Sequence, residues 1–352
     1  MTTLPPVERF TSSSGVDIYR LPLLLFPPDF TGHAFVLDGA GPLTLVDSGS
    51  GIGRSNDDLL AGFRQIGKRY GKTIALGDIE RVIITHGHID HFGGLAFVME
   101  QTEAAVGIHE LDLRVLSNYE ERVIVATKAL GIYFDRAGIA PSQREALFSM
   151  YGFAKKHVAS IAVDFSIEDE QVIDGMEFIH TPGHCPGQVC IRLGNVLLSA
   201  DHVLSRTTPH QSPESITHYM GLDHYADSLR KLLKVEGIEL ALGSHEDAIH
   251  DLYGRINAIR ASHNRKLDRI RKIMRDHGAP MTIAEISGAM YPDVEGYHVL
   301  LALEEAGAHI EYLYQHGHLS IANLREFEAQ PNPAILYELH EGPPGSLTGG
   351  RA

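Results

Sequence analysis

The sequence predicts a mixed α/β protein with a larger, strand-rich domain followed by a smaller helical domain. In residues 15–84, short apolar runs of strand type alternate with turn residues and one amphipathic helix. A second strand-rich stretch begins at Ser166, and near Tyr253 long helical patterns replace the strands. The length of 352 residues agrees with two domains, at about 150 residues each. We expect a larger domain over residues 1–253, a smaller one over 254–330 and a flexible tail over 331–352.

The N-terminal strands are predicted from runs of aliphatic and β-branched residues. The runs Val16–Leu21, His33–Leu37 and Leu43–Asp47 are separated by Pro-Pro and Gly-rich segments, which is typical of a β-meander. Apolar residues at helical spacing then predict an amphipathic helix over Asp58–Tyr70. The β-branched run Arg81–Ile84 predicts the strand that precedes the most unusual motif of the chain.

The middle of the chain is predicted to be helical first and strand-rich afterwards. Residues 110–160 show mainly helical patterns. From Ser166 the chain returns to short apolar runs bounded by turn residues. These runs predict four strands, Gln171–Ile173, Glu177–His180, Val189–Leu193 and Val196–Ser199. The strand-rich pattern of the N-terminal part thus recurs in a second half.

The C-terminal residues predict three helices and a short strand. The segment Arg255–His277 has an apolar stripe, and eight basic residues occupy the rest of its surface. Thr282 is placed to cap a short second helix, and Gly296–Gln315 predicts a third. With a strand at His318–Ile321, this is the order of a winged-helix-like module. We expect it to serve packing or dimer formation, because the basic helix lacks an obvious base-reading set.

Composition and charge disfavour several classes of protein. Thirty basic and 45 acidic residues give a net charge of −15, which disfavours a general nucleic-acid or anionic-membrane binder. The first residues lack the features of a secretory signal, and the apolar run Leu21–Phe26 is too short to span a bilayer, so we expect a cytoplasmic protein. Cys185 and Cys190 lie close together on one segment, which favours two reduced thiols over a disulfide.

The segment Thr85–Gly94, THGHIDHFGG, concentrates three histidines and an aspartate directly after a predicted strand. Imidazole nitrogens and carboxylates are ligands that zinc, iron(II) and manganese accept. His86 and His88 can turn toward one ion while Asp90 and His91 turn toward another. Surface histidines are common in a chain that has 21 of them, but ligand type, spacing and position together favour a metal site.

Further candidate ligands follow other predicted strands. His184 lies in a Pro-Gly-His-Cys-Pro-Gly turn after the strand Glu177–His180. Asp201 ends an apolar strand, where its carboxylate can bridge two cations and lower their mutual repulsion. His245 follows another apolar strand. Each residue alone is an ordinary strand-end or turn residue, but together with the histidine-rich segment they predict a binuclear metal site.

These residues, in this order, resemble the metallo-β-lactamase superfamily, and Leu45–Gly49 resembles its early strand-Asp-x-Gly signature. The resemblance implies an αββα sandwich, two sheets between helices, with the site at one sheet edge. The turn around His184 and the C-terminal module are similar to the glyoxalase-II-like hydrolases of that superfamily. Two positions depart from the pattern: His245 lies in Gly-Ser-His-Glu instead of Pro-Gly-His-Gly, and His33 stands where many relatives carry asparagine.

The resemblance also implies a role for each candidate residue. It assigns His86, His88 and His184 to a first divalent metal, Asp90, His91 and His245 to a second, and Asp201 to the bridge between them. Zinc is the expected metal, with iron and manganese left open because the ligands suit all three. Two cations that share a water lower its pKa, so a bridging hydroxide can attack while Asp90 orients it. His202, beside the bridge, is a candidate catalytic residue that faces substrate, and the alternative is a histidine that faces solvent.

The expected function is therefore hydrolysis of an ester or thioester, such as an acyl-CoA, a glutathione thioester or a lactone. A nuclease is the first alternative, because the same centre cleaves phosphodiesters in relatives and the basic helix at 255–275 could contact phosphates. A non-catalytic metal- or DNA-binding protein is the second. The expected partners are a small-molecule substrate and, in a homodimer, a second copy of the chain; nucleic acid and membranes are not expected.

Overall fold

The computed structural model describes residues 3–152 and 158–340, which form two compact units. Within the described residues, the first unit consists of 3–122, 158–209 and 231–255, and the second of 123–152, 210–230 and 256–340. The sequence predicts one division, between residues 253 and 254. In the structure, the chain passes from the first unit to the second close to that point, between residues 255 and 256. The segments 123–152 and 210–230 also belong to the second unit. This grouping depends on contacts between segments that are distant in the chain, and the order of residues along the sequence does not reveal those contacts.

The first unit contains two β-sheets. The strands of the larger sheet are β1 (Glu8–Thr11), β2 (Asp17–Phe26), β3 (Phe30–Asp38), β4 (Thr44–Val46), β5 (Arg81–Ile84), β6 (Ala105–His109) and β7 (Phe165–Ile167). They are arranged in chain order, antiparallel from β1 to β4 and parallel from β4 to β7. The smaller sheet contains β8 (Val172–Ile173), β9 (Met176–His180), β10 (Val189–Leu193), β11 (Val196–Ala200) and β12 (Leu240–Gly243), in the order β12-β11-β10-β9-β8.

The hydrophobic core of this unit lies between the two sheets. Phe35 and Ile83 of the larger sheet and Phe178 and Ile191 of the smaller one belong to a single buried cluster. Strand β5 is buried along its whole length between β4 and β6, which agrees with its uninterrupted β-branched run. The predicted mixed fold, with two facing sheets and accompanying helices, is confirmed.

Helices connect the parallel strands of the larger sheet. They are α1 (Ser55–Tyr70) between β4 and β5, α2 (Ile89–Phe92) and α3 (Leu95–Met99) between β5 and β6, and α4 (Leu113–Ser117), α5 (Tyr119–Ala137) and α6 (Pro141–Gly152) between β6 and β7. Gly62 lets α1 pack closely on β2, because a Cβ there would lie 2.7 Å from side-chain atoms of Leu21. No helix in the described ranges combines the length and apolarity needed to cross a lipid bilayer.

The second unit is mainly helical. Its remaining elements are α7 (Leu222–Leu232), α8 (Leu252–His277), α9 (Ile283–Met290), α10 (Tyr297–Gln315), β13 (Leu319–Ile321), α11 (Leu324–Ala329) and β14 (Tyr337–Leu339), with α7 and α8 extending across the unit boundaries. Thr282 caps α9 as predicted: its Oγ1 accepts the N–H of Glu285 at 3.2 Å, and the Glu285 carboxylate accepts the N–H of Thr282 at 2.8 Å. The winged-helix assignment itself stays a prediction.

The segment 331–352, which was predicted to be a flexible tail, begins with ordered structure. Strand β14 pairs with β13 in antiparallel register, with Leu319 opposite Leu339 and Ile321 opposite Tyr337. Tyr337 is buried. Residues 331–340 therefore complete a small sheet of the second unit, whereas residues 341–352 lie outside the described part of the chain.

Candidate metal centre

The seven predicted ligands come together at the ends of strands from both sheets. The segment 86–91 directly follows β5, and His184, Asp201 and His245 follow β9, β11 and β12. Because β9, β11 and β12 run in the same direction, their carboxyl ends lie at one edge of the smaller sheet. The ligand atoms form two groups, each within 4.8 Å: His86, His88 and His184 in the first, and Asp90, His91, Asp201 and His245 in the second.

The charges of both groups suit cations. Burial disfavours the charged form of His245, but Asp201 and Asp90 outweigh it and raise the pKa of this imidazole to about 10. Burial likewise opposes ionisation of Asp90, yet His91 and His245 lower its pKa to about 2. In the first group, burial and the nearby imidazoles lower the pKa of His88 to about 3, so its ring is neutral and keeps a lone pair. The carboxylates of the second group therefore favour positive charge, which a proton on His245 supplies without metal and which a bound cation would supply in its place; the first group offers neutral nitrogen donors.

Hydrogen bonds orient two of the candidate ligand histidines. His91 donates its Nδ1–H to Asp47 at 2.8 Å, and His245 donates its Nδ1–H to the carbonyl of Thr31 at 2.9 Å. In both rings Nε2 is left for the site, and that of His245 lies 3.4 Å from Asp201 Oδ2. Metal-binding histidines commonly make such a bond through their other nitrogen. Among the described residues, His91 Nε2 and Asp201 Oδ1 are buried without a hydrogen-bond partner, and an ion would satisfy both atoms.

Asp47, the aspartate of the early strand-Asp-x-Gly signature, anchors the histidine-rich segment. It follows β4 and has a positive φ of 61°, a conformation that aspartate tolerates better than most residues. Its Oδ1 accepts the N–H of Thr85 at 2.8 Å, and its Oδ2 accepts the Thr85 hydroxyl at 2.9 Å. Because Asp47 Oδ2 also accepts from His91, one carboxylate fixes both the start of the segment and a ligand at its end.

The departure from the family pattern after His245 has a structural role. Glu246, at the position of the usual glycine, adopts a positive φ of 66°. Its carboxylate accepts hydrogen bonds from the hydroxyl of Ser205 at 3.1 Å and from the backbone N–H groups of Arg206 and Thr207 at 2.5 and 3.1 Å. The glutamate thus holds the 205–207 loop beside His245, and His245 stays in the site despite the changed motif.

His202 is fully buried, so the alternative in which it faces solvent is wrong. Burial, together with the nearby His184, lowers the pKa of His202 to about 3, and its ring is therefore neutral near pH 7. It belongs to neither ligand group. A contact between His202 and substrate stays a prediction.

Asp112, a buried carboxylate that follows β6, is a site residue that the sequence patterns did not predict. Asp112 Oδ2 accepts the N–H of Gly87 at 2.9 Å and the thiol of Cys185 at 3.4 Å. Burial and the charge of Asp112 raise the pKa of the Cys185 thiol well above its usual value, so it stays protonated and can donate. Cys185 and Cys190 are both free, as predicted. The sequence offers only a carboxylate a few residues past β6, a strand that was not predicted, so no sequence signal singles out Asp112.

A third group of metal-ligand types, His263, Glu305 and His309, lies in the second unit. Its members already bond to one another and to a cation. Lys266 Nζ lies 2.5 Å from Glu305 Oε1, and His263 Nδ1 lies 3.0 Å from His309 Nε2. A metal ion would have to displace Lys266, so we interpret this group as an internal ionic network.

The stability of the second unit should depend on pH through His210, which lies 3.2 Å from Glu304 and 3.3 Å from Glu305. Burial disfavours the charged form, but these carboxylates outweigh it and raise the pKa of His210 from 6.5 to about 9. Because folded protein holds a proton that unfolded protein loses, the stabilisation is complete below pH 6.5 and is lost as the pH rises through 9. A pKa rise of this size corresponds to about 3 kcal/mol, and because the His210 side chain is 29% exposed we expect solvent to reduce the loss in the free energy of unfolding to about 1–2 kcal/mol.

Denaturant titrations of the wild type and His210→Gln across this pH range measure the effect. The variant should lack the part of the pH dependence that His210 causes. Equal slopes of unfolding free energy against pH in the two proteins would show that His210 is not the titrating group.

Comparison with known proteins identifies the family. Residues 27–245 match the metallo-beta-lactamase superfamily, which is more than half of the chain. The probable metallo-hydrolase YqjP of Bacillus subtilis (strain 168) is 22% identical over 290 residues, covering 77% of this chain and 84% of YqjP. The probable metallo-hydrolase YflN of the same organism is 26% identical over 141 residues, or 39% of this chain. The match spans only 48% of YflN.

Solved structures show the same fold. The metallo-beta-lactamase family protein TTHA1429 from Thermus thermophilus superposes with a TM-score of 0.72 at 22% identity, covering 92% of this chain and 98% of that one. A beta-lactamase domain protein from Burkholderia ambifaria gives a TM-score of 0.69 at 22% identity, covering 95% and 94%. With its ligand groups at the strand ends of this fold, the chain belongs to the metallo-beta-lactamase superfamily and is a metal-dependent hydrolase.

Proposed function

We propose that this hydrolase holds two divalent metal ions and cleaves an ester or thioester, such as an acyl-CoA, a glutathione thioester or a lactone. The observation that carries the binuclear part is the position of Asp201. Its Oδ2 lies 3.7 Å from Nε2 of His184, in the first ligand group, and 3.4 Å from Nε2 of His245, in the second. One carboxylate therefore adjoins both groups, as a bridging ligand must.

The donor set fits two such ions. Three imidazoles would hold one ion, and two imidazoles with Asp90 and Asp201 would hold the other. When bound, the ions would make water acidic enough to supply a nucleophile near neutral pH and would polarise a scissile carbonyl. We propose zinc for both positions. Iron and manganese accept the same nitrogen and oxygen donors.

The residues of the chain supply orientation and a proton acceptor. His88 and Asp90 are partly exposed, whereas His86 and His91 are buried, so substrate would approach from the side of His88 and Asp90. Asp90 would orient the attacking water and accept its proton. The bonds from His91 to Asp47 and from His245 to a carbonyl keep both rings in place during this step.

The ester or thioester proposal is supported by the resemblance to glyoxalase-II-like hydrolases and by the charge of the protein. With a net charge of −15, the chain is a poor match for an extended polyanion. Several basic residues of α8 are also paired inside the second unit: Lys266 contacts Glu305, Arg271 contacts Asp268, and Lys272 contacts Asp276. These pairs weaken the argument for a phosphate-binding helix, and we rank a nuclease second.

A substrate panel tests the proposal. Metal-loaded protein would be assayed with an acyl-CoA, a glutathione thioester, a lactone, a β-lactam and single-stranded RNA, and Asp201→Asn would control for contaminating hydrolases. We expect turnover of at least one ester or thioester that the variant lacks. If only the RNA were cleaved, and the variant failed to cleave it, the nuclease would replace this proposal.

A further inference from the structure

Two carboxylates from neighbouring strands flank the histidine-rich segment. Strand β5 lies between β4 and β6, and all three run parallel, so the residues after them meet at one edge of the sheet. Asp47 follows β4 and bonds to Thr85 and His91. Asp112 follows β6 and bonds to Gly87. The segment is therefore held from both sides, but the two carboxylates hold different parts of it.

The contacts of Asp112 Oδ2 involve the loops of the first ligand group. Gly87, whose N–H donates to Asp112 Oδ2 at 2.9 Å, lies between His86 and His88. Cys185, whose thiol donates to the same oxygen at 3.4 Å, directly follows His184. One buried carboxylate oxygen thus joins the two separate loops that carry all three histidines of this group.

Two glycines, Gly87 and Gly187, lie close to Asp112. A Cβ at Gly187 would lie 2.8 Å from Asp112 Cβ, Cγ and N, which a folded protein does not tolerate without a shift. A Cβ at Gly87 would lie 3.0 Å from Val115 and 3.3 Å from Asp112 Oδ2. The loop that contains Gly187 can lie this close to Asp112 because this position lacks a side chain, whereas a side chain at Gly87 would require only a small shift of its neighbours.

We propose that Asp112 is a positioning residue that sets the metal affinity of the three-histidine group and leaves the second group largely unaffected. The second group has its own supports, since His91 is held by Asp47 and His245 by the carbonyl of Thr31. Asp112 acts through hydrogen bonds to the backbone of one loop and the thiol of the other, so an acceptor at this position is required and its charge is secondary. The inference rests on the proposed binuclear centre.

The test starts from metal-loaded, full-length protein and measures the release of each ion to a chelator of known affinity. Wild type should release two ions. Asp112→Ala should lower the affinity for one ion by about 10- to 100-fold and change the affinity for the other little. Asp112→Asn keeps an acceptor oxygen, so its affinities for both ions should stay near those of the wild type. Cobalt-substituted protein would show which ion is affected, because a site of three histidines and one with two carboxylates differ in their absorption spectra.

Two further variants separate positioning from general destabilisation. Asp164→Ala removes a carboxylate that accepts the N–H of Val106 at 2.8 Å in β6, and it should leave both metal affinities unchanged. Cys185→Ala removes one donor to Asp112 and should weaken the same ion by a smaller factor than Asp112→Ala, while Cys185→Ser keeps a donor and should resemble wild type. These cysteine variants decide the question if Asp112→Ala does not fold.

The role of Asp112 would be overturned if Asp112→Ala lowered the affinity for both ions equally. It would also be overturned if Cys185→Ala and Asp112→Ala both released their ions as the wild type does. A wild-type protein that binds fewer than two ions would instead overturn the binuclear proposal, so the two failures are distinguishable.

Discussion

Asp201→Ala should abolish hydrolysis and release at least one metal ion. Asp201 is a carboxylate that adjoins both ligand groups, and it lies 3.6 Å from His91 in addition to its contacts with His184 and His245. Without it, two like charges would face each other with no shared anion. Loss of a residue that only supports a ligand costs about 10- to 100-fold, so loss of this ligand should lower kcat/KM by more than about 100-fold. Steady-state kinetics and metal analysis of the purified variant measure both effects.

His202→Ala is the neighbouring control. Like Asp201, His202 is buried, but it belongs to neither ligand group. We expect the variant to keep both ions and to lose about 10- to 100-fold in activity, as an outer residue of a metal site does. The assignment of ligands in this loop would be wrong if Asp201→Ala kept its ions and its rate while His202→Ala lost both.

Removal of the metal ions should eliminate activity and lower the thermal stability of the chain. In metal-free protein, Asp90 and Asp201 each lie 3.4 Å from Nε2 of His245, and bound metal ions would replace the proton of this imidazole and tie the three residues together. A ligand present at about 1,000 times its Kd stabilises the folded state by about 4 kcal/mol, so chelation should produce a clear fall in Tm. Added zinc, iron(II) or manganese should restore both properties, and the metal that restores most activity identifies the best fit.

The same chelation on Asp201→Ala provides the matched control. That variant should show a much smaller fall in Tm, since it has already lost the bridge. Chelated wild type that retained full activity and an unchanged Tm, with metal analysis showing no residual ions, would rule out a metal-dependent mechanism.

The residues that come together at the candidate metal centre could be predicted from the sequence. The segment 86–91 and the strand Arg81–Ile84 before it are local features, since spacing and β-branched composition are readable within a few residues. The same holds for Thr282, which was predicted to cap a helix and does so in the structure. Features of this kind depend on neighbours in the chain, and the sequence displays those neighbours directly.

The residues that support the ligands could not be predicted in this way. Asp112 is 25 residues from Gly87 and 73 from Cys185, and nothing in its local sequence distinguishes it from other carboxylates. Strands β6 and β7 were also missed, because each is short and adjoins helical patterns. The parallel pairing of β6 with β5 is what brings Asp112 to the loops that carry the candidate ligands.

Sequence patterns alone thus specify which chemical groups the site contains, the strands that end at them and the cap that begins α9. Three further features depend on tertiary contacts. They are the burial of His202, the hydrogen bonds that Glu246 accepts from the 205–207 loop, and the grouping of segments 123–152 and 210–230 with the C-terminal helices. The difference arises from the range of the interactions. Periodicity and turn chemistry act over a few residues, whereas burial and hydrogen bonding between loops depend on which distant strands become neighbours.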